Sequence, residues 1–393
     1  MKEVYKKETI MLTNKPMNEF PLLSEKDGVP LFYPHVAKGA IAEVTETLSG
    51  RWIGQGPKVD RFEEEIKRRF LGESSALAVG SGTDALHLAY ILAGVESGDE
   101  VITTVFTCTA TNIPLLYIGA TAVFADIDPT SMNIDVADVE RKITSKTKAI
   151  SCVDYGGIPC DYEALTNLCK KYNLKLISDA AHSIGAKYKG KYAAEWADFT
   201  IFSFQAIKTL TTGDGGLLAI KDKSLLEKGK RLRWFGIDRS AKQGGIWEND
   251  IVEIGFKYQM NDIAAGIGLA GLLEIDAVIE HRNGLFAEYI ERLTTPRCSI
   301  LGRPSTEDYF NPAWLVTIVV DRGRVDLMTK LRSHNIESAQ CHYRNDRYSI
   351  FGDRRTDLPH MDSIEDNYLV LPNHTAVTVA DVHRICDIIN EGW

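Results

Sequence analysis

The spacing of apolar residues changes repeatedly between two periods along the middle of the chain. Asp60–Phe70 carries Phe62, Ile66 and Phe70 on a charged background, which predicts an amphipathic surface helix. From about residue 60 to 260, such helix-like segments alternate with short apolar runs typical of buried strands. This alternation predicts an α/β domain with a mainly parallel sheet. The predicted strands are Ser75–Val79, Glu100–Thr104, Thr121–Ile127, Lys148–Val153, Leu174–Ile177, Phe199–Phe204 and Leu217–Ile220, and the predicted helices between them include Thr83–Gly94 and Tyr162–Tyr172.

The character of the chain changes after Met260. Asp262–Arg292 is a long helical stretch rich in Ala, Gly, Ile and Leu, and the polar segment before it, Gly236–Glu253, is interpreted as a surface loop. Beyond the long helix, the pattern is typical of a smaller α+β unit. We therefore expect a large α/β domain over residues 1–260 and a smaller C-terminal α+β domain over residues 261–393, hinged on the long helix. The later predicted elements are Trp314–Val320, Val325–His334 and Val379–Glu391.

Composition and charge exclude several classes of protein. The 393 residues are 44% hydrophobic and 25% charged, which is ordinary for a globular chain and excludes a disordered or fibrous one. Lys and Arg number 45 against 54 Asp and Glu, and this acidic balance argues against a nucleic-acid partner. The balance leaves room for anionic small-molecule ligands, because a site can be locally positive on an acidic protein.

The cysteines and the N-terminal segment indicate a reducing compartment. Seven cysteines are dispersed without a C-x-x-C pair, so neither a metal site nor a disulfide framework is predicted. Met1–Pro16 is polar and lysine-rich and lacks the apolar centre of a signal peptide. The apolar stretches Ile113–Ile127 and Trp314–Val320 are too short or too interrupted to cross a bilayer. We therefore expect a cytoplasmic protein without a membrane partner.

Three segments carry the main candidate chemistry, and the first is a glycine turn. Val79–Leu86 (VGSGTDAL) places Gly80 and Gly82 between a predicted strand and a predicted helix. A helix N-terminus there would offer free N–H groups and a positive dipole end to an anion, with Gly82 and Thr83 as phosphate-binding residues. The spacing Gly80-x-Gly82-x-x-Ala85 also satisfies the loose dinucleotide fingerprint, and a purely structural turn is a further alternative.

The second segment follows the predicted strand Leu174–Ile177. Asp179 and His182 lie just beyond its C-terminal end, which is where parallel sheets place functional groups. The alternatives are a helix N-cap for Asp179 and a supporting polar role for His182. The position makes both residues candidates for contact with a bound group.

The third segment, Ser203–Lys208 (SFQAIK), lies at the end of the predicted strand Phe199–Phe204. A lone lysine is usually solvated, but Lys208 is bracketed by this apolar strand and the glycine-bearing run Thr209–Gly216. A partly desolvated amine suits Schiff-base chemistry. Ser203 is a candidate for the same anion site as the glycine turn.

Together these segments specify one kind of cofactor. One end of this cofactor is anionic and would bind to Gly82, Thr83 and Ser203. Its ring carries a basic nitrogen that would face Asp179. It also carries an aldehyde that condenses with Lys208. A carboxylate keeps such a ring nitrogen protonated, so that the ring accepts electrons from a carbanion. These properties are those of pyridoxal 5′-phosphate (PLP).

The motifs resemble those of the DegT/DnrJ/EryC1/StrS sugar aminotransferases, which are PLP enzymes of fold type I. The resemblance runs from about Arg51 to Pro372, and the order and spacing of its motifs are jointly specific although each motif alone is weak. The motifs are Arg51–Pro57 (RWIGQGP), Ser81–Leu86 (SGTDAL), Gly98–Ile102 (GDEVI), Asp179–His182 (DAAH), Ser203–Lys208 (SFQAIK) and Gly213–Gly216 (GDGG).

The resemblance implies a homodimer with two active sites at the subunit interface, each completed by the partner. It implies that Lys208 forms the covalent aldimine with PLP and moves a proton between the amino acid α-carbon and the cofactor. Asp179 would contact the ring nitrogen, and His182 would lie near the 3′-oxygen. The usual amino donor is L-glutamate, which becomes 2-oxoglutarate, and the usual acceptor is a keto group on a nucleotide-linked sugar. The phosphate-binding residues that the resemblance implies are Gly82, Thr83 and Ser203.

Two positions depart from the family pattern. The family has an aromatic residue that stacks on the cofactor ring in a Thr-aromatic-x-Ala-Thr segment, and Cys108 stands at that position in Thr107–Thr111 (TCTAT). The family often has Gly-Tyr-Asn-Tyr-Arg-Met before the long helix, where this chain has Gly255–Met260 (GFKYQM). Lys257 thus replaces the asparagine that reaches the partner's phosphate. A lysine can bind a phosphate as a point charge, and an ordinary helix start is the alternative.

We therefore predict a PLP-dependent aminotransferase that moves an amino group from L-glutamate to a keto group of a nucleotide-linked deoxysugar. The preferred acceptor is a 4-keto-6-deoxyhexose, as for a perosamine synthase, and a keto-cyclitol or another ketone is the alternative. From other classes, the alternatives are an NAD(P)-dependent oxidoreductase and a catalytically silent scaffold, and an intact Lys208 argues against both. The residues expected near the substrate are Trp52, Gln55, His342, Tyr343 and Arg344.

Overall fold

A seven-stranded sheet forms the centre of the computed structural model, which describes residues 22–23, 27–248 and 250–393. Its strands are short apolar runs, and all five residues of the first strand are buried, as expected where both faces of a sheet are covered. The strands are β1 (Ser75–Val79), β2 (Glu100–Thr104), β3 (Thr121–Ala125), β4 (Thr147–Val153), β5 (Lys175–Asp179), β6 (Phe199–Ser203) and β7 (Gly216–Ile220).

The order of strands across this sheet is β1-β7-β6-β5-β4-β2-β3. The pairs β6–β5, β5–β4, β4–β2 and β2–β3 are parallel, and β7 runs antiparallel to its neighbours β1 and β6. This topology confirms the predicted α/β fold with a mainly parallel sheet. Because β5 and β6 are parallel neighbours, their C-terminal residues Asp179 and Ser203 emerge at the same edge of the sheet.

Helices cover both faces of the sheet. Residues of β1 alternate between the two apolar clusters, with Leu77 and Val79 in one and Ala76 and Ala78 in the other. The first cluster takes side chains from the helices at Gly82–Leu92, Leu226–Arg233 and Pro359–Ile364, and the second takes them from those at Pro57–Ile66, Tyr162–Tyr172 and Asp262–Arg292. The helices of the described chain are α1 (Ala40–Ser49), α2 (Pro57–Ile66), α3 (Gly82–Leu92), α4 (Thr109–Ile118), α5 (Val136–Lys142), α6 (Tyr162–Tyr172), α7 (Ala193–Trp196), α8 (Leu226–Arg233), α9 (Arg239–Gln243), α10 (Asp262–Arg292), α11 (Arg324–Ser333), α12 (Pro359–Ile364) and α13 (Val379–Asn390).

The amphipathic helix predicted at Asp60 begins three residues earlier, at Pro57, and Lys67–Leu71 continues it as a π-helical turn. The earlier start has a physical cause in Asp262, whose buried carboxylate accepts hydrogen bonds from the backbone N–H groups of Gly56, Lys58 and Val59. These groups have no partner inside α2. A residue distant in sequence therefore sets where the helix begins.

Most other predicted elements are present with the same ends or with ends shifted by one or two residues, which is the usual uncertainty of a pattern. The sequence pattern did not predict α1, α4, α5, α7, α8 or α12. Helix α4 contains Pro114 and several threonines, which weaken a helical pattern. The predicted loop Gly236–Glu253 contains the short helix α9. Met1–Pro16, interpreted above as lacking a signal peptide, and Asn249 lie outside the described residues.

The C-terminal part has its own antiparallel sheet, ordered β8-β9-β10, with β8 at Cys298–Ile300, β9 at Val316–Val320 and β10 at Tyr368–Leu371. Its core takes side chains from α11 and α13. Two short ladders join this part to the large sheet's loops: Tyr343–Arg344 pairs with Phe106–Thr107, and Tyr309–Phe310 pairs with Lys187–Tyr188.

The long helix α10 serves both parts of the protein. Its residues from Ala264 to Ile279 pack in a cluster of the large sheet, whereas Leu285, Phe286 and Tyr289 pack in the C-terminal core. The division into domains at residue 261 stays a prediction, because one continuous helix carries the chain across it. Along the described residues, no helix combines the length and apolarity that crossing a membrane would require.

Candidate active site

The N-terminus of α3 meets the end of β6. Ser81 caps this helix, its Oγ accepting a hydrogen bond from the Asp84 N–H at 3.0 Å. The preceding N–H groups, at Gly82 and Thr83, belong to the first turn and have no partner within the helix. Ser203 lies beside them, since a β-carbon added at Gly82 would come within 3.0 Å of the Ser203 β-carbon and 3.4 Å of its Oγ. The structure thus brings Gly82, Thr83 and Ser203 together.

Gly216, the first residue of β7, closes the other side of this turn. A β-carbon at Gly216 would lie 2.4 Å from the carbonyl carbon and oxygen of Ser81 and 2.6 Å from the Gly82 nitrogen. Only a residue without a side chain fits at such a distance. The glycine therefore lets a strand, a helix N-terminus and the Ser203 hydroxyl converge into a cradle suited to an anionic group.

Asp179 is the last residue of β5 and is buried. Its Oδ2 accepts a hydrogen bond from Thr111 Oγ1 at 2.7 Å, and its Oδ1 accepts one from the Ala181 N–H at 3.1 Å. Burial raises the pKa of Asp179, while these two hydrogen bonds and the charge of Lys208 oppose the rise. A cationic or N–H group bound next to the carboxylate would further favour its ionised form.

Lys208 follows β6 in a tight turn, where its N–H donates to the Gln205 carbonyl at 2.9 Å. Its side chain is partly buried, and Nζ lies 3.7 Å from the centroid of the Trp314 ring. Burial lowers the pKa of Lys208 to about 8, and the charge of Asp179 opposes this shift. The amine is therefore neutral in a large fraction of molecules at mildly alkaline pH, as a nucleophilic amine must be.

His182 and His342 stack face to face, with ring centroids 5.1 Å apart and planes within 1° of parallel. His182 Nδ1 accepts a hydrogen bond from the Gly156 N–H at 3.3 Å, so that ring carries its proton on Nε2, which lies 3.3 Å from His342 Nε2. Burial and the charge of Lys208 lower the pKa of His182 well below its usual range and that of His342 to about 3. Both imidazoles are therefore neutral at physiological pH.

Cys108 precedes α4 and is exposed, and its thiol lies within electrostatic range of Lys208. Cys341 also lies within this range, and burial raises the pKa of its thiol to about 12. Tyr343 is partly exposed and pairs with Thr107, the residue before Cys108. The structure thus gathers Cys108, His342 and Tyr343 around the end of the sheet that carries Lys208.

Arg344 does not face this site. Its guanidinium is fully buried and donates to Asp346 at 2.6 and 2.7 Å, and it also pairs with Asp362 and Glu365. Three carboxylates already occupy its donors, so this geometry argues against the predicted substrate contact. Arg344 instead ties the segment after His342 to α12 and its C-cap Glu365.

Trp52 and Gln55 lie on the loop before α2, and none of their contacts in the described chain joins them to the Asp179–Lys208 cluster. Trp52 is 41% exposed beneath the Arg51 guanidinium. Gln55 lines a separate cavity of about 230 Å³ beside Arg233 and Arg239. Their predicted substrate contacts therefore need either a conformational change or a second subunit.

Lys257 is exposed, and its segment runs beside the glycine turn, where the Gly80 N–H donates to the Tyr258 carbonyl at 2.7 Å. In the amide orientation that satisfies both groups, Gln259 accepts hydrogen bonds from Lys257 Nζ at 2.5 Å and from Trp234 Nε1 at 3.2 Å. The lysine is thus near the surface of its own protomer. Its predicted role toward a partner's phosphate stays a prediction.

Sequence reasoning missed Thr111 and Trp314. Thr111 orients Asp179 from the first turn of α4, a helix that the pattern did not predict. Trp314 was interpreted only as the first residue of an apolar strand. The concentration of threonines in Thr107–Thr111 was the sequence signal that could have pointed to Thr111. No local signal marked Trp314.

The donor set fits PLP in three independent respects. The cradle at Gly82 and Ser203 suits a phosphate, the Asp179 carboxylate suits a pyridinium nitrogen, and the Lys208 amine suits an aldehyde. Groups of this kind at the C-terminal edge of a parallel sheet define the class of PLP-binding enzymes.

Comparison with known proteins agrees with this class. Residues 34–390 match the DegT/DnrJ/EryC1/StrS aminotransferase family. The GDP-perosamine synthase of Escherichia coli O157:H7 is 32% identical over 366 residues, which cover 92% of this chain and 98% of that protein.

Solved structures are similar over nearly the whole chain. The crystal structure of AtS13 from Actinomadura melliaura is 33% identical, with a TM-score of 0.88 and coverage of 94% of this chain and 100% of that one. The PLP form of Spr1654 from Streptococcus pneumoniae is 28% identical, with a TM-score of 0.86 and coverage of 93% and 98%.

The chain therefore belongs to the DegT/DnrJ/EryC1/StrS aminotransferase family, and it is a PLP-dependent sugar aminotransferase of fold type I. The predicted family, fold and enzyme class are confirmed. The oxidoreductase alternative depended on the Gly80 turn alone and has no support from these relatives.

The cradle yields a prediction at Gly216. In Gly216→Ala, the new methyl group must displace the Ser81 backbone, so we expect the affinity for PLP to fall roughly tenfold through overpacking. Titration of the cofactor-free protein with PLP, followed by absorbance, measures the dissociation constant. Gly284→Ala is the matched control, because nothing lies within 4 Å of a β-carbon at that position of α10. Unchanged affinity in Gly216→Ala would contradict the assignment of the cradle.

Proposed function

We propose that the protein transfers the amino group of L-glutamate to the keto group of a nucleotide-linked deoxysugar, with 2-oxoglutarate as the second product. The observation that carries the proposal is the placement of a partly desolvated Lys208 amine within electrostatic reach of Asp179. The anion cradle of α3 lies at the same edge of the sheet. An amine, a carboxylate and an anion site in this arrangement are what a PLP transaminase employs.

Lys208 is proposed as the lysine that joins the PLP aldehyde covalently. When bound, PLP supplies a protonated pyridine ring that accepts electrons from the carbon next to the amino nitrogen. Lys208 Nζ, once released, removes a proton from the α-carbon of L-glutamate. A pKa of about 8 suits a base that works near neutral pH, because the neutral amine and its conjugate acid are then both populated.

Asp179 is proposed to hold the proton on the pyridine nitrogen. Thr111 and the Ala181 N–H bind one oxygen each and so fix the plane of the carboxylate. Burial alone raises the pKa of Asp179, and a cationic ring against it would restore the ionised form. The carboxylate and the ring nitrogen would then share a charge-assisted hydrogen bond.

His182 and Cys108 are proposed to lie on the ring itself, His182 near the 3′-oxygen and Cys108 at one face. A neutral His182 with its proton on Nε2 is a hydrogen-bond donor rather than a charge. The exposed Cys108 thiol is small, so it would replace aromatic stacking with a compact polarisable contact. A crystal structure of the PLP-bound protein tests both placements.

For the acceptor, we propose a 4-keto-6-deoxyhexose linked to a nucleoside diphosphate. The support is the similarity to a GDP-perosamine synthase across 92% of the chain. Trp52, Gln55, His342 and Tyr343 remain the proposed contacts of the sugar nucleotide, and Lys257 of a phosphate. A keto-cyclitol is the alternative acceptor within the same reaction type.

We also propose a homodimer that shares its active sites. Large apolar side chains are exposed on two loops, including Trp52 and Ile53 on one and Trp247, Val252 and Ile254 on the other, with Ile254 at 86%. Exposed apolar groups gathered in this way are typical of interaction surfaces. A second copy covering them would also bring Lys257 and the loop before α2 toward a neighbouring site.

Light scattering during size-exclusion chromatography tests the dimer. We expect twice the chain mass for the wild type and a shift toward the single-chain mass for Ile254→Glu, because a buried unpaired carboxylate is costly at an interface. Val379→Glu, which changes a surface residue of α13 that is 45% exposed, is the control and leaves the mass unchanged. A single-chain mass for the wild type would contradict the shared site.

A panel of keto-sugar nucleotides tests the reaction. With L-glutamate as donor, we expect amination of a 4-keto-6-deoxyhexose nucleotide and equimolar 2-oxoglutarate, both followed by mass spectrometry. In Lys208→Ala, turnover falls by about 10²–10⁴-fold, because the amine that moves the proton is lost. Lys221→Ala is the control, since Lys221 is an exposed lysine that donates hydrogen bonds to the Glu195 and Trp196 carbonyls. If a keto-cyclitol is aminated and no keto-sugar nucleotide is, the keto-cyclitol is the acceptor and the sugar assignment is wrong. Activity retained in Lys208→Ala would overturn the mechanism.

A further inference from the structure

Trp314 is a buried residue just before β9, in the C-terminal part of the chain, and its ring reaches the end of the large sheet. Its indole Nε1–H donates to the Ile207 carbonyl at 2.9 Å. Ile207 is the residue before Lys208, so this hydrogen bond fixes the turn that carries the lysine. The contact joins two positions that are 107 residues apart.

Two groups of the site contact the Trp314 ring. Lys208 Nζ lies 3.7 Å from the ring centroid, which is well inside the range of a cation–π interaction. The His182 imidazole is stacked at 4.1 Å between centroids, with 28° between the planes. One indole therefore contacts the lysine, the peptide group before it and the histidine proposed to touch the cofactor.

The indole is itself firmly placed. Arg282 of α10 donates to the Trp314 carbonyl at 3.1 Å and to the Asn373 carbonyl through the same nitrogen. Phe32 stacks at 5.9 Å with an angle of 20°. Both the backbone and the ring of Trp314 are therefore held by groups other than Lys208.

Several charged or titratable groups surround the Lys208 amine. Burial and the charge of Arg282 disfavour the ammonium form, whereas the charge of Asp179 favours it. The thiols of Cys108 and Cys341 also lie within electrostatic range of the amine. The neutral imidazoles of His182 and His342 lie beside it. Within the described part of the chain, no side-chain or backbone oxygen accepts a hydrogen bond from Lys208 Nζ, and the Trp314 ring is its close contact.

We propose that Trp314 is a positioning residue for Lys208: its ring face receives the free ammonium whenever the lysine is not joined to the cofactor, and its N–H fixes the turn beneath it. The released amine then stays next to the reacting carbon instead of turning toward solvent. This proposal rests on the proposed function, because it concerns the lysine on which that function depends. It also gives the C-terminal part of the chain a direct role at the site.

The test measures how readily Lys208 is acetylated by acetic anhydride as a function of pH, in the full-length protein freed of PLP. Mass spectrometry of the Lys208 peptide gives the midpoint of the curve, expected near the pKa of about 8 for the wild type. In Trp314→Leu, loss of the ring destabilises the ammonium and moves the midpoint to lower pH. The neutral fraction of Lys208 at pH 7 then rises roughly fivefold. Trp314→Phe keeps an aromatic face and stays close to the wild-type midpoint.

Replacement of tryptophan by 5,7-difluorotryptophan weakens the cation–π attraction between the Lys208 ammonium and the Trp314 ring without changing the shape of the core. It therefore tests the proposal even if Trp314→Leu does not fold. We expect the midpoint to move in the same direction as in Trp314→Leu. Greater access to solvent would instead move the midpoint to higher pH, because burial is what lowers the pKa of Lys208. A midpoint that stays in place or rises in the leucine variant or, where that variant does not fold, in the fluorinated protein would overturn the proposal.

Trp196→Leu is the matched control. Its indole N–H also donates to a backbone carbonyl, that of Tyr188 at 3.2 Å, and its ring also faces a lysine, Lys191 at 5.2 Å, yet it has no contact with Lys208. We expect its Lys208 midpoint to equal that of the wild type. The acetylation assay contains neither cofactor nor substrate, so failure of the keto-sugar panel and failure of the Trp314 proposal are distinguishable.

Discussion

The withdrawal of the Lys208 ammonium from water is the constraint on which the site depends. Burial lowers its pKa from 10.5 to about 8, so between these two pH values the unfolded chain binds more protons than the folded one. The free energy of unfolding therefore rises with pH across that window, and at neutral pH the partly buried amine lowers it by about 3 kcal/mol. Two apolar clusters on the faces of the sheet offset this cost. Because its pKa is lowered, the Lys208 amine is partly neutral, and so nucleophilic, close to neutral pH.

The topology of the sheet explains why the groups around this amine come from distant parts of the chain. Parallel neighbours β5 and β6 end at the same edge, which places Asp179 next to the turn that leads to Lys208. The antiparallel strand β7 begins at Gly216, directly against the N-terminus of α3. A carboxylate, an amine and an anion cradle thus follow from three strand ends. The C-terminal part adds Trp314, whose ring contacts Lys208, and His342, whose ring stacks on His182.

The sequence predicted features that depend on neighbouring residues and missed those that depend on residues distant in the chain. Strands such as Ser75–Val79 and Phe199–Ser203 were predictable because each is a short apolar run. Asp179 and Lys208 were found as chemically capable residues shortly after such runs. Trp314 was not predictable, because its partners lie 107 residues away and no local pattern marks them. Arg344 was a candidate substrate contact, but in the folded protein its guanidinium pairs with Asp346, Asp362 and Glu365. The start of α2 likewise depends on Asp262, a residue of another helix.

We propose that Lys208, and no other lysine, carries the cofactor. Reduction of the PLP-loaded protein with sodium borohydride makes the link permanent, and proteolysis with mass spectrometry then locates the pyridoxyl group. The account predicts one modified peptide, containing Lys208, and its disappearance after incubation with L-glutamate before reduction. A pyridoxyl group on any other lysine, or a protein that PLP leaves unmodified, would contradict it.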